Sequence, residues 1–404
     1  MKSEITYGSI VPLIGGESLG IQNVLDGKHP EWVMSYRAFE ANDAHYMNHI
    51  RNQGYEGDYV FLDETHGYKA KQVDVVNTVC PCAGLSSLSP TSNAKSATND
   101  WMYHTAEHVL ENIKPKVFWG ENAPRLAMST GAPVVDKLKE IAKKFNYTFS
   151  IYKTKSLVQG FSQVRDRTFY FFWKDDSVPL FDYIHRPNQK IEDLLNAVVN
   201  DPEDPMSEVL NKDIPSEFCL YNYILNEIHG GISHAEFVDK HLEKSSNAFH
   251  YIENNDSYDK LIPWLQEKGE DRWAATIGRM NEKIKNGKGV MRRTVTWPKD
   301  YIGAFVGHLP QWLTHPTEDR YLTVRECMEI MYLPKDFQLL NTKQWNHICQ
   351  NVPVKTAEDM MGQIVKYLQG DLDKVNTTYI LQDNKRQRWE AEQECETASL
   401  EDFT

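Results

Sequence analysis

Cys82 stands directly behind Pro81 in VNTVCPCAGLSSLSP, at the end of an apolar run, where a thiol could serve as a nucleophile. Two other segments hold what such a thiol would need. WGENAPRL sets an acid, Glu121, at the end of the apolar run KVFW, and SQVRDRTFYFFW sets two arginines, Arg165 and Arg167, at the opening of a third run. A free thiol with a pKa near ~8.5 is mostly protonated at neutral pH, so a helix N-terminus or a nearby guanidinium has to favour the thiolate. No one of these residues is informative alone, whereas a thiol, an acid and an arginine in this order make a nucleophile site with charge stabilisation.

Such groups act together only if strand ends carry them to one edge. Up to about residue 173 short apolar runs alternate with helical patterns. WVMSY, DYVFL, VDVVNTV, KVFW, FSIY and TFYFFW predict buried strands. Ala106, Val109, Leu110 and Ile113 recur at helical spacing, as do Val134, Leu138, Ile141, Ala142 and Phe145. The alternation predicts an α/β fold, a Rossmann-like, mostly parallel sheet with flanking helices and ligands beyond the carboxyl ends of its strands. After Trp173 an amphipathic helix (Ile191, Leu194, Leu195, Val198, Val199) lies among proline-rich breaks, and strand signals are scarce until TVTWPKDYIGAFVGHL. This stretch predicts a smaller, irregular second domain. LTVRECMEIMYL and AEDMMGQIVKYL then predict two helices that return to the first. The expected division is 1–175, 176–318 with a helical insertion, 319–370 returning to the first domain, and 371–404 as an acidic, loosely held tail.

Composition narrows the class. A chain of 404 residues is too long for one ordinary core, and a 41% hydrophobic content with 25% charge and no bilayer-length apolar run predicts a soluble globular protein. MKSEITYGSI lacks the layout of a secretory signal, so a cytoplasmic location is expected. Six cysteines without CxxC spacing argue against a disulfide framework and a structural zinc site, and no metal is expected; Cys80 is taken as a buried strand residue. The net charge, 44 minus 57 or −13, disfavours a nucleic-acid partner unless local patches carry the contact. KIKNGKGVMRR is such a patch, with Lys283, Lys285, Lys288, Arg292 and Arg293 and no intervening acid. Standing alone, it reads more readily as a solvated basic loop.

With these segments placed, the chain resembles the DNA (cytosine-5) methyltransferase family over its first ~175 and last ~85 residues. Pro81-Cys82, Glu121-Asn122-Ala123 and Gln163-Val164-Arg165-Asp166-Arg167 appear in the family's order. DRYLTVRECMEIMYLPKDF (319–337) is similar to its R-x-L-T-x-R-E block, and NHICQNVPVKTAEDM to its final cofactor-side motif. The resemblance implies a class I methyltransferase fold and S-adenosylmethionine-dependent methylation of cytosine carbon-5 in double-stranded DNA. It implies Cys82 as the nucleophile that adds to carbon-6 of an extruded base, Arg165 as the guanidinium that favours its thiolate, Glu121, with a raised pKa, as the acid that hydrogen-bonds or protonates the ring edge, and Arg167 as a further catalytic residue. The loop AGLSSLSPTSNAKSATNDW has the small, polar composition of a lid closing over that base.

For the cofactor the resemblance implies Gly15 and Gly16 in the turn after the first strand, Glu40 on the ribose hydroxyls, Asp63 on the adenine amine, and Pro81 and Asn351 beside them. For DNA it implies Gln163, Lys288, Arg292 and Arg293, with Trp297 and Tyr301 as candidates for groove insertion. The chain departs from the family pattern at several places. A leucine stands where the earlier glycine of GSIVPLIGG is usual, and Cys349-Gln350 replaces Gly-Asn, with Asn351 one place later. Ala83 and Ala123 replace a glutamine and a valine, and neither change removes a reacting group. The expected protein is a monomer, with a cognate restriction endonuclease as a further partner considered. Two alternatives stay open: a DNA-binding protein on a methyltransferase scaffold that no longer catalyses, and the same chemistry on RNA or with another alkyl donor.

Overall fold

The structure is a computed structural model that describes residues 4–64, 68–80, 85, 96–288, 290, 293–307 and 309–385. The chain divides into two compact units, one comprising 1–160, 165–188 and 351–404 and the other 161–164 and 189–350.

The first unit is built on an eight-stranded sheet among the described residues. Its strands are β1 (Tyr7–Ile10), β2 (Trp32–Ser35), β3 (Asp58–Phe61), β4 (Val75–Thr78), β5 (Val117–Asn122), β6 (Thr148–Lys153) and β7 (Thr168–Trp173), with a terminal strand at Tyr379–Asp383. They lie in the order β3, β2, β1, β4, β5, β7, β6, terminal strand. All neighbours are parallel except β7, which runs antiparallel to both β5 and β6. The crossovers carry helices α1 (Gly16–Val24), α2 (Glu40–Asn52), α3 (Asp100–His108) and α4 (Ala132–Lys144).

The period of two in the strands explains how both faces are covered. Val76, Phe118, Tyr170 and Phe172 point to one face, where Met102 and Ala106 of α3 and Val134, Leu138 and Ile141 of α4 pack on them. Val75, Val117, Trp119, Phe169, Phe171 and Trp173 point to the other, beneath Ile21 of α1 and Met360, Met361 and Ile364 of the helix Val354–Gln369. Each large side chain removed from water this way contributes on the order of 1.5–3 kcal/mol. α1 and Val354–Gln369 approach so closely at Gly20 that a Cβ there would lie 2.6 Å from the Cβ of Ala357.

The second unit holds the helical insertion expected within 176–318. Helices Ala248–Asn255, Tyr258–Glu267 and Asp271–Lys285 enclose a core of Tyr221, Phe237, Ile252, Leu261 and Ile277. Trp297 belongs to this core: it is fully buried, with ring centroids 4.7 Å from Tyr221 and 4.8 Å from Phe237. It therefore cannot be a groove-inserting side chain as the sequence suggested, whereas Tyr301 is 43% exposed.

Three expected boundaries move. The block 319–350 falls in the second unit and not the first, and its charged side chains find their partners inside that unit. Arg320 pairs with Glu326 at 2.7 Å, Arg325 pairs with Asp204 at 2.8 Å and donates to the carbonyl of Phe337, and Thr323 with Glu326 forms a capping box on the helix Val324–Ile330. The return to the first unit comes at Asn351. The tail is held at least to residue 385, since Tyr379–Asp383 pairs in parallel with β6 and the Asn384 carboxamide bonds both the N–H and the carbonyl of Ile184. The helix expected over 191–199 stops at Asn196 and leaves Val199 87% exposed.

Candidate functional site

The antiparallel strand determines what meets at the carboxyl edge of the sheet. Because β7 starts where β5 ends, with Glu121 opposite Phe169 and Asn122 opposite Thr168, the residues entering β7 face those leaving β5. Arg167 Nε donates to Glu121 Oε1 at 2.7 Å, both side chains being largely buried. The backbone of the arginine segment is fixed from the end of β6. The Arg167 and Arg165 N–H groups donate to the hydroxyls of Thr154 (2.8 Å) and Ser156 (2.9 Å). Arg165 is itself buried and donates from Nη2 to the carbonyl of Asn351 at 2.7 Å.

Burial pushes the Glu121 carboxyl above the usual carboxylate range, and the positive charges of Arg167 and Arg165 pull against it. A second acid lies within its field: Glu17, in the first turn of α1, is fully buried. Asn77 Nδ2 donates to its Oε2 at 3.2 Å, while Oε1 is buried without a hydrogen-bond partner. Burial drives this carboxyl well above its ordinary value, with the Asn77 hydrogen bond lowering it and the Glu121 charge raising it further. Sequence reading missed Glu17, although an acid four residues before the buried Ile21 on one helix face was a signal.

β4 ends beside β5, Thr78 pairing with Gly120, so the chain leaving β4 shares the edge on which Glu121 lies. Cys82 and Pro81 fall outside the described residues, as does most of the loop that follows them. Cys80 is buried, with Sγ 3.3 Å from the Thr78 hydroxyl, and burial raises its pKa, which makes it an inert strand-end thiol.

The turn between β1 and α1 departs from an ordinary chain path. Val11 (φ 50°), Leu13 (φ 55°) and Gly15 (φ 95°) all have left-handed backbones. For Val11 and Leu13 this costs roughly 1–2 kcal/mol each. Leu13 thus holds the conformation a glycine would take freely, so the glycine-to-leucine departure keeps the path and adds strain. Gly15 and Gly16 are required by the protein's own packing: a Cβ on Gly15 would lie 2.2 Å from the Tyr46 ring, and one on Gly16 1.9 Å from the Val352 carbonyl oxygen. Gly16 N–H donates to Asn351 Oδ1 at 2.9 Å, which gives the displaced asparagine of the final motif a defined partner.

Asp43 of α2, a second residue the sequence reading passed over, receives the Leu13 N–H at 2.9 Å and the Tyr59 hydroxyl at 3.1 Å, and also bonds Ser35. Burial pushes its carboxyl up to about 7 against these hydrogen bonds. Its signal was an acid on the same helix face as Tyr46, Met47 and Ile50. Glu40 and Asp63 lie past the ends of β2 and β3, both already engaged by Arg37. The Arg37 guanidinium pairs with Glu40 at 3.0 Å and with Glu64, its backbone N–H lies 3.2 Å from each Asp63 carboxylate oxygen, and it stacks 3.9 Å over Phe61.

Of the residues expected at DNA, Gln163 is buried and fully used within the second unit. Its Nε2 donates to the Ile330 carbonyl at 3.0 Å and its Oε1 accepts from Phe305 N–H at 3.1 Å, leaving no group to offer a base or phosphate. Lys288 and Arg293 are exposed, and Arg292 lies outside the described residues.

A parallel sheet with one antiparallel strand at β7, helices on both faces, and polar groups gathered at its carboxyl edge defines a class I methyltransferase fold. The family model for C-5 cytosine-specific DNA methylase matches residues 10–366, and the chain belongs to that family. It is 23% identical over 340 residues, 80% of this chain and 91% of the relative, to the Type II methyltransferase M.MthTI of Methanothermobacter thermautotrophicus. Two solved structures share the fold. A DNA modification methyltransferase encoded within an E. coli prophage is 15% identical with a TM-score of 0.56, over 91% of this chain and all of that one. The Dnmt2 methyltransferase of S. pombe is 12% identical with a TM-score of 0.53, over 91% and 100%. Across the described residues no helix is long and apolar enough to cross a membrane.

Proposed function

We propose that this protein transfers a methyl group from S-adenosylmethionine to carbon-5 of a cytosine in double-stranded DNA, through a covalent bond from Cys82 to carbon-6 of a flipped base. The observation that carries the reading is the buried Glu121–Arg167 contact at 2.7 Å, with Arg165 alongside, at the carboxyl edge of the sheet where β4 also ends. A raised carboxyl held by guanidinium groups can donate a proton or a hydrogen bond as charge develops on a ring.

In this scheme the Cys82 thiolate forms the bond to carbon-6, and the electron pair of the 5,6 double bond moves to carbon-5 while Glu121 hydrogen-bonds or protonates the ring nitrogen. Carbon-5 then takes the methyl group as its bond to the sulfonium sulfur breaks and a neutral thioether is left, a base removes the carbon-5 proton, expulsion of the thiolate restores the double bond, and the ring nitrogen returns any proton to Glu121. S-adenosylmethionine, when bound, supplies an electrophilic methyl group on a sulfonium. The residues at the ends of β1, β2 and β3 fit such a ligand: an exposed acid follows β2 and another follows β3, and α1 begins with backbone N–H groups after β1. We assign Gly15, Gly16, Glu40, Asp63, Pro81 and Asn351 to its surroundings. Glu40 would have to share its carboxylate with Arg37.

We further infer that the second unit takes the target-recognition role, with Lys288, Arg292 and Arg293 meeting phosphates. The test is to incubate the full chain with duplex DNA and tritiated S-adenosylmethionine, and separately with DNA containing 5-fluorocytosine. Labelled 5-methylcytosine and a denaturation-resistant adduct lost in Cys82→Ser are expected. Donor binding without transfer to DNA, or transfer to RNA alone, would overturn the reading.

A further inference from the structure

The β1–α1 turn raises a question that its own sequence does not answer: three of the five residues from Val11 to Gly15 are left-handed, and two of those three carry side chains that disfavour such a backbone. Something outside the turn must hold it. α2 supplies two groups that do. The Tyr46 ring closes over Gly15, within 2.2 Å of where a Cβ would stand. One turn earlier the buried carboxylate of Asp43 accepts the Leu13 N–H at 2.9 Å. The same carboxylate is anchored by Ser35 at the end of β2 and by Tyr59 of β3 at 3.1 Å, so it ties the turn to the two strands beside it. Asp43 touches neither Glu121 nor the arginines, and nothing in the reaction scheme uses it.

We propose that Asp43 is a positioning residue for the methyl-donor site, holding the β1–α1 turn in the left-handed path that presents its backbone to the donor. The proposal rests on the reading of this turn as part of the S-adenosylmethionine site. If Leu13 N–H loses its acceptor, the residue relaxes towards a right-handed or extended backbone, and the peptides on either side rotate. The donor then has to restore the path on binding, which appears as weaker affinity and not as slower chemistry once the site is filled.

The experiment is calorimetric titration of the full chain with S-adenosylmethionine, together with KM for the donor and kcat on duplex DNA. Asp43→Ala removes the buried acceptor of Leu13 N–H, so the dissociation constant and KM should rise about tenfold or more, with kcat at saturating donor changed by less than about threefold. Adding Leu13→Gly to Asp43→Ala lets residue 13 take its positive φ without strain, and should bring affinity back to within about threefold of wild type. A general structural role would not produce that recovery. Affinity within about twofold of wild type in Asp43→Ala, or a double variant that recovers nothing, overturns the proposal. Should Asp43→Ala fail to fold, Asp43→Leu is read instead: it fills a similar space but offers Leu13 N–H no acceptor, and affinity within about twofold of wild type overturns the proposal while a loss of about threefold or more supports it. Absence of donor binding by the wild-type chain would instead strike the reading of the site itself, before any variant is compared.

Discussion

Arg167 and Glu121 meet at 2.7 Å because the antiparallel strand β7 begins at Thr168, opposite Asn122, the residue at which β5 stops. The pair sits in a largely buried place, so its two halves are unequal under mutation. Arg167→Ala strands a buried carboxylate, which should cost roughly 3–5 kcal/mol at pH 8, and less at pH 5, where the acid can protonate. Glu121→Gln keeps the shape and a hydrogen bond but cannot give up a proton, so methyl transfer should fall about 10²–10⁴-fold with a smaller stability change. Urea unfolding at the two pH values and tritium transfer to duplex DNA check both; equal stability of Arg167→Ala and wild type at pH 8 would remove the pair's structural importance.

Much of this arrangement was legible in the sequence. Apart from the opening Thr168 and Lys116, TFYFFW and KVFW are apolar at every position, as strands covered on both faces must be, and charged residues stand at their ends. What the sequence could not display was direction: nothing in TFYFFW says that β7 runs antiparallel, and that reversal is what brings Arg165 and Arg167 to Glu121. Gln163 illustrates a second blind spot, since a glutamine beside arginines looks like a recognition group until its amide is found bonded at both ends to backbone. Glu17 and Asp43 were overlooked because an acid on an otherwise apolar helix face is usually at the margin of the stripe, and only tertiary packing reveals that these two are inside it.

The contrast between Gln163 and the basic loop gives a second prediction. Gln163→Ala leaves the Phe305 N–H and the Ile330 carbonyl buried without their partner, so it should cost about 1–3 kcal/mol of stability and leave the salt dependence of DNA binding unchanged. Lys288→Ala and Arg293→Ala should be stable, and each should flatten the plot of log affinity against log salt by about 0.9 if it neutralises one phosphate. Fluorescence anisotropy across a salt series separates the cases; an unaltered slope in both basic variants would place the DNA contact elsewhere.

Asn351 joins two parts of the site, its side chain accepting from Gly16 N–H and its carbonyl from Arg165. Only the first bond depends on the side chain. Asn351→Ala should therefore lower stability by about 1–3 kcal/mol and weaken S-adenosylmethionine binding, whereas Asn351→Asp keeps the Oδ1 acceptor, faces a helix N-terminus, and should retain most of both. Thermal melts with and without S-adenosylmethionine give the readout: a ligand-induced shift as large in Asn351→Ala as in wild type would detach this residue from the donor site.

Glu17 makes the protein's stability depend on pH in a definite direction. Its carboxyl is raised by burial, so the native state keeps a proton that the unfolded chain releases once pH passes the ordinary glutamate value of about 4.3. Above that value the unfolded state binds fewer protons than the native one, and stability must fall as pH rises, by about 1.4 kcal/mol per pH unit, until the native carboxyl itself ionises. Glu121 and Asp43 slope the same way, so wild type alone cannot isolate the effect. Glu17→Gln can: it presents a similar shape that never ionises and keeps a carbonyl for Asn77 Nδ2. The variant should lose less stability than wild type between pH 5 and pH 8, and the two chemical-denaturation curves should separate progressively across that range. Parallel curves would mean that Glu17 is solvated or paired in solution, contrary to its buried and half-partnered position here.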